Sequence, residues 1–136
     1  MKSKAVLQES DVSQILAAAK AFAQSKGWAV TISVVDDGGH LLGLMRLDGA
    51  PPISAHISPA KAHTAALGQR ATKIYEDIIN NGRTAFLSAP SIEGMLEGGV
   101  PVVVDGQVIG AVGVSGVQSS QDVEIAQAGI ASLGLK

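Results

Sequence analysis

The chain has 136 residues, enough for one domain and a single hydrophobic core. Hydrophobic residues make up 46% of it and charged residues only 16%, against a usual charged share of about 25%. The formal charge of −2 argues against nucleic acid as a partner, and the lack of cysteine removes disulfides, thiolate metal sites and a cysteine nucleophile.

Residues 10–26 have helical spacing, with Val12, Ile15, Leu16, Ala19, Phe22 and Ala23 on one stripe, Ser10 or Asp11 as cap and Gly27 as stop. AVTISVV (29–35) changes to period two and predicts a strand. DDGG (36–39) is a turn and HLLGLMRL (40–47) the returning strand. Residues 58–79 predict a second helix rich in small residues, with Pro59 at its first position, Ser58 as cap and His56 in the preceding turn. After NNG (80–82) comes a less regular stretch, then a second hairpin in which Asp105-Gly106 gives a type I′ signal. Ser119 or Ser120 opens a last helix with Val123, Ala126, Ile130 and Leu133 as its buried stripe. The order αββα(loop)ββα predicts one α+β domain over 1–136, an antiparallel sheet covered by helices.

Phe22, Trp28, Tyr75 and Phe86 are all the aromatics, so the interior must be aliphatic, and glycines such as 110, 113 and 116 let a helix or a second subunit approach a strand. So apolar a small domain is expected to self-associate. The opening MKSKAVLQESD has no apolar run behind its lysines, and no segment approaches the ~20 apolar residues of a membrane span. The expectation is a soluble, cytoplasmic homo-oligomer with no membrane partner.

Familiar catalytic signatures are missing: there is no P-loop, no dinucleotide fingerprint, and Ser115 lacks the second glycine of a nucleophile elbow. His56 and His63 are seven residues apart, about two turns or ~10.5 Å of rise on a helix, too far to share one metal ion. No metal is expected. Lys61, read as a cation in a first helical turn, is electrostatically misplaced and implies an ion pair with Asp48 or an anionic ligand. Arg46 and Asp48 at a strand end, facing Lys61 and His63, form the first place to look for a site. The Gly98-Gly99 backbone could offer N–H groups to an anion.

Four runs in order, VVDDGGHLLGLMRLDGAPPIS, AKAHTAA, EGGVPVVVDGQVIGAVGVSG and QDVEIAQAGIASL, resemble the GlcG/HbpS family, the haem-degrading-type domain also found at the C-terminus of PduO-type corrinoid adenosyltransferases. The resemblance runs from about residue 7 to residue 133 and rests on R-x-D-G-A, K-A-x-T-A, G-G-x-P and D-G-x-x-x-G-A-x-G-V-S-G. It implies an antiparallel sheet of about five strands in a profilin/PAS-like two- or three-layer sandwich, and dimers, tetramers or octamers. It also implies haem as a cofactor. The axial ligand would then be His40, His56, His63 or Met45, with Arg46 and Lys61 toward the propionates. An alternative is a cofactor-free enzyme on a small unsaturated carboxylate, such as a 2-hydroxymuconate-type keto–enol tautomerase in aromatic catabolism. Lys61 or a histidine such as His63 would be its base, Arg46 its clamp and Gly98-Gly99 its oxyanion donor, with Asp48 beside the ligand. A non-catalytic accessory oligomer is the third reading.

Overall fold

The computed structural model describes residues 1–135. Helix α1 (Glu9–Lys26) begins at Gln8, whose backbone N–H donates to Asp11 Oδ2 at 2.8 Å while its side chain accepts from the third helical N–H. The cap is thus a reciprocal box rather than Ser10 or Asp11 alone. Strands β1 (Thr31–Asp36) and β2 (Leu41–Arg46) form the first hairpin. β3 (Gly99–Val104) and β4 (Gln107–Ser115) form the second, and Asp105 and Gly106 between them take the two positive φ values, 51° and 74°, of a type I′ turn. The hairpins join through β1 and β4 into an antiparallel sheet of order β2-β1-β4-β3.

The stretch expected to be one helix over 58–79 is two, α2 (Ser54–Gly68) and α3 (Thr72–Asn80). Gln69 takes the left-handed conformation at φ 56° and Arg70 N–H reaches back to the Ala65 carbonyl at 3.2 Å, which ends α2. Its start also differs. Pro59 lies inside the helix and His56 in its first turn, because the carbonyls of Pro51, Pro52 and Ile53 accept from Ser54, Ala55 and His56 in tight turns before the proline arrives. Ser58 is therefore free of capping, and its hydroxyl donates to the Gly113 carbonyl at 2.8 Å. The last helix, α4 (Ser119–Ala131), is capped by Gln118 and Gln121. The sheet has four strands among the described residues, not five. The segment before β3 supplies only a 3-10 turn at Thr84–Ser88 and then runs over α2, where Gly94 N–H donates to Thr64 Oγ1 at 3.1 Å. No described helix is long and apolar enough to cross a membrane.

Alternation along the strands sorts side chains to two faces. Ile32, Val34, Val112 and Val114 pack with Ile15 and Ala19 of α1 and Ile125 and Ala126 of α4, all buried. The opposite face is small and partly polar. Val35 and Ala111 meet Ala62, Ala65 and Ala66 of α2, while the Thr31 and Ser33 hydroxyls lie 2.7 Å from those of Ser54 and Ser58. A Cβ at Gly113 would overlap the Ser58 carbonyl, so α2 rests directly on strand backbone.

Lys61 ties these layers together. Its ammonium donates to the Val114 carbonyl at 2.9 Å and to Asp122 Oδ2 at 3.1 Å, with the two side chains only 4% and 3% exposed. The lysine is mid-helix, not in a first turn, and pairs with Asp122 rather than Asp48. Asp122 also accepts from Val117 N–H at 3.3 Å, which draws it inward and shifts the buried stripe of α4 to Asp122, Ile125, Ala126 and Gly129. Val123 is left half-buried, while Ile130 and Leu133 pack partly on the core.

Two expectations follow from this packing. Gly113→Ala should destabilise the chain by about 1–3 kcal/mol in urea unfolding, because backbone rather than a flexible side-chain end must move. Lys61→Met and Asp122→Asn should each cost about 3–5 kcal/mol by stranding a buried charge, and the double variant less than their sum. Burial pushes the Asp122 carboxyl above the ordinary carboxylate range, with the Lys61 ammonium pulling the other way. The folded chain thus holds this proton more tightly than the unfolded one. That contribution is fully present below the unfolded pKa of about 3.9 and is lost as pH rises through the folded value. Stability of the parent chain relative to the double variant should fall across that window.

Candidate functional site

The β1–β2 turn is folded around one carboxylate. Asp36 Oδ1 accepts from the backbone N–H groups of Gly38 and His40, both at 2.9 Å, and lies 3.1 Å from His40 Nδ1. In the tautomer that donates Nδ1–H to Asp36, the Nε2 lone pair points away from the carboxylate. Nε2 has no hydrogen-bond partner among the described residues, and the side chain is 81% exposed. Next door, Lys4 pairs with Asp37 at 2.5 Å, and its hydrogen bond holds the Asp37 carboxyl below the usual range.

The strand that follows His40 is apolar and uncovered. α2 packs across β1, β4 and β3 but hardly reaches β2, so Leu41, Leu42 and Leu44 remain 55%, 42% and 39% exposed on an edge strand. On the α1 side, Leu7, Val12, Leu16 and Leu42 line a groove of about 570 Å³, within the size range of small-molecule sites. A Cβ at Gly43 would come within 2.9 Å of Val12 and 3.0 Å of Leu16, so this glycine sets how closely α1 lies on the strand.

The other histidines stand apart. His63 is clasped between two turns, Nδ1 facing the Gly39 carbonyl at 2.9 Å and Nε2 facing that of Ser91 at 3.0 Å. A neutral ring can donate to only one of these, and an imidazolium to both. His56 is exposed in the first turn of α2, and the helix is continuous between them, so they do not converge.

Arg46 does not meet Lys61 or His63. Its Nε and Nη2 donate to the Ala50 carbonyl at 3.2 and 2.8 Å, holding the loop that leads into α2. Arg46, Met45 and Asp48 line a separate cleft of about 390 Å³ with Lys20 and Trp28 from the end of α1. Lys61 is buried on the opposite side of α2, against β3 and β4. Gly98 and Gly99 are buried too. Gly98, at φ 137°, passes so close to Lys61 that a Cβ would lie 2.6 Å from Nζ, and Gly99 N–H donates to Thr72 Oγ1 at 2.8 Å. This pair makes room for a lysine, and the Gly99 N–H is engaged within the fold.

Asp36, as the partner of His40, was missed from sequence, as were Asp122 and the contributions of Lys20 and Trp28 to the cleft. A signal existed for the first: an aspartate opening a glycine-rich turn commonly bonds the backbone two residues on. The long-range pairings left none.

Comparison with known proteins agrees with this architecture. Residues 7–131 match the family model described as haem degrading protein HbpS-like. Protein GlcG of Escherichia coli K12 is 60% identical over 115 residues, covering 85% of each chain. The structure superposes on a PduOC–haem complex with TM-score 0.86 at 30% identity, covering 97% of this chain and 98% of that one. A double mutant of HbpS from Streptomyces reticuli gives TM-score 0.87 at 29% identity, covering 98% and 91%. With a family model spanning nearly its whole length and a relative at this identity, the chain belongs to the HbpS-like family.

Proposed function

We propose that this chain is a haem- or tetrapyrrole-binding protein that holds its ligand along the exposed edge of β2, with His40 as the axial ligand. The observation that carries this reading is the Asp36–His40 pair at the head of a strand of exposed leucines. A carboxylate on Nδ1 fixes the tautomer and the ring plane and leaves the Nε2 lone pair free, an arrangement common among metal-ligating histidines. Leu41 and Leu44, which pair with Val35 and Ser33 and so lie on the face away from α1, offer apolar surface to a porphyrin ring. When bound, haem would supply a redox-active iron; the protein's part is to ligate it, hold the proton on His40 Nδ1 and exclude water from one ring face.

The remaining candidates contribute less. His63 has both nitrogens against carbonyls and Lys61 is buried in an ion pair. Arg46 sits at the far end of β2 and already serves Ala50. Lys4, held at Asp37, is a cation at the right end of the strand for a propionate. The same apolar edge supports a homo-oligomer in which a second copy covers part of β2. The tautomerase reading is less well supported, since Lys61 is held in an ion pair and Gly99 N–H already donates to Thr72 Oγ1.

Hemin titration tests the proposal. A Soret shift saturating at a defined stoichiometry is expected, with binding at least about tenfold weaker in His40→Ala and about tenfold weaker in Asp36→Asn. His56→Ala should bind like the parent. An unsaturable response would overturn haem binding, and an unchanged His40→Ala would overturn the assignment of the ligand.

A further inference from the structure

The cleft at the end of α1 has a charge pattern that the haem reading does not use. Lys20, Arg46 and Asp48 share its wall, yet no ion pair joins either cation to the acid among the described residues. Arg46 gives Nε and one Nη2 donor to Ala50, which leaves Nη1 unspoken for. Two cations and one carboxylate give the cleft a net charge of +1. Trp28 and Met45 supply an apolar wall, and Phe22 packs edge-on against the indole at 6.2 Å between centroids, which fixes its plane. The carbonyl end of α1 lies nearby and disfavours anions, so an anion has to be held by Lys20 and Arg46 rather than by the helix.

We infer that this cleft, at the end of β2 away from His40, is a second binding site, for a small monocarboxylate with a planar apolar body. Arg46 and Lys20 hold the carboxylate, and Trp28 and Met45 cover the body. Asp48 rejects a second negative charge and accepts from a hydroxyl. A volume of about 390 Å³ admits a molecule the size of a substituted benzoate.

Trp28 is the only tryptophan, so its fluorescence reports this cleft directly. Benzoate added to the full chain should give a saturable change below about 10 mM, and neutral benzamide should give none. Lys20→Gln and Arg46→Gln should each weaken the response. Lys20→Gln keeps the test intact if loss of the Ala50 contact disturbs the loop in the other variant. Asp48→Asn should tighten binding about two- to fivefold by removing the opposing charge. His40→Ala should bind benzoate like the parent chain, so failure of the haem reading leaves this result standing. No saturable change, an equal response to benzamide, or binding unaffected by both Lys20→Gln and Arg46→Gln would each overturn the inference.

Discussion

A helix laid directly on strand backbone governs how this protein is built. α2 can lie there only because Gly113 has no side chain and because alanines and short hydroxyls line the contact. At that distance a long side chain on the helix has nowhere to go but along the sheet. Lys61 does this, and its ammonium ends in the interior beside the Val114 carbonyl. A buried cation is tolerable only with a partner, so Asp122 is drawn in from α4 on the far side of the strand. Gly98 takes a conformation open to glycine to leave room for the lysine head. One close approach thus fixes α2, the entry to β3 and the start of α4.

The same packing decides what stays uncovered. A helix seated over β1, β4 and β3 leaves β2 as a bare edge, and its leucines point to solvent or toward the groove beside α1. The turn that feeds β2 is organised around Asp36, and His40 stands at its end with one nitrogen fixed and the other open. An exposed apolar edge headed by an oriented histidine is an unfavourable surface for a free monomer. It becomes reasonable where a flat apolar ligand or another copy of the chain covers it.

Local chemistry was readable in the sequence. Period two in TISVV, the Asp105-Gly106 turn and the helical stripe of 10–26 placed both hairpins and α1 within a residue or two. Of glycines 110, 113 and 116, Gly113 meets helix α2, while Gly110 lies against the Val35 carbonyl and Gly116 against that of Ala29. Contacts between distant segments were not readable. Lys61 resembled a misplaced surface cation because its partner lies 61 residues away, and Asp122 looked like an ordinary first-turn acid. Pro59 reads as a helix start because the turn formed by Pro51 and Pro52, which starts the helix earlier, carries no strong capping residue. Among the candidate site residues, Arg46 and Asp48 do share a cleft, while Lys61 and His63 belong to other contacts.

The most direct measurement is the structure of the protein loaded with hemin. Iron bonded to His40 Nε2, with the ring lying on Leu41 and Leu44, is the result expected from an Asp36-oriented histidine on a bare edge. Iron held by His56, or a porphyrin seated away from β2, would contradict it.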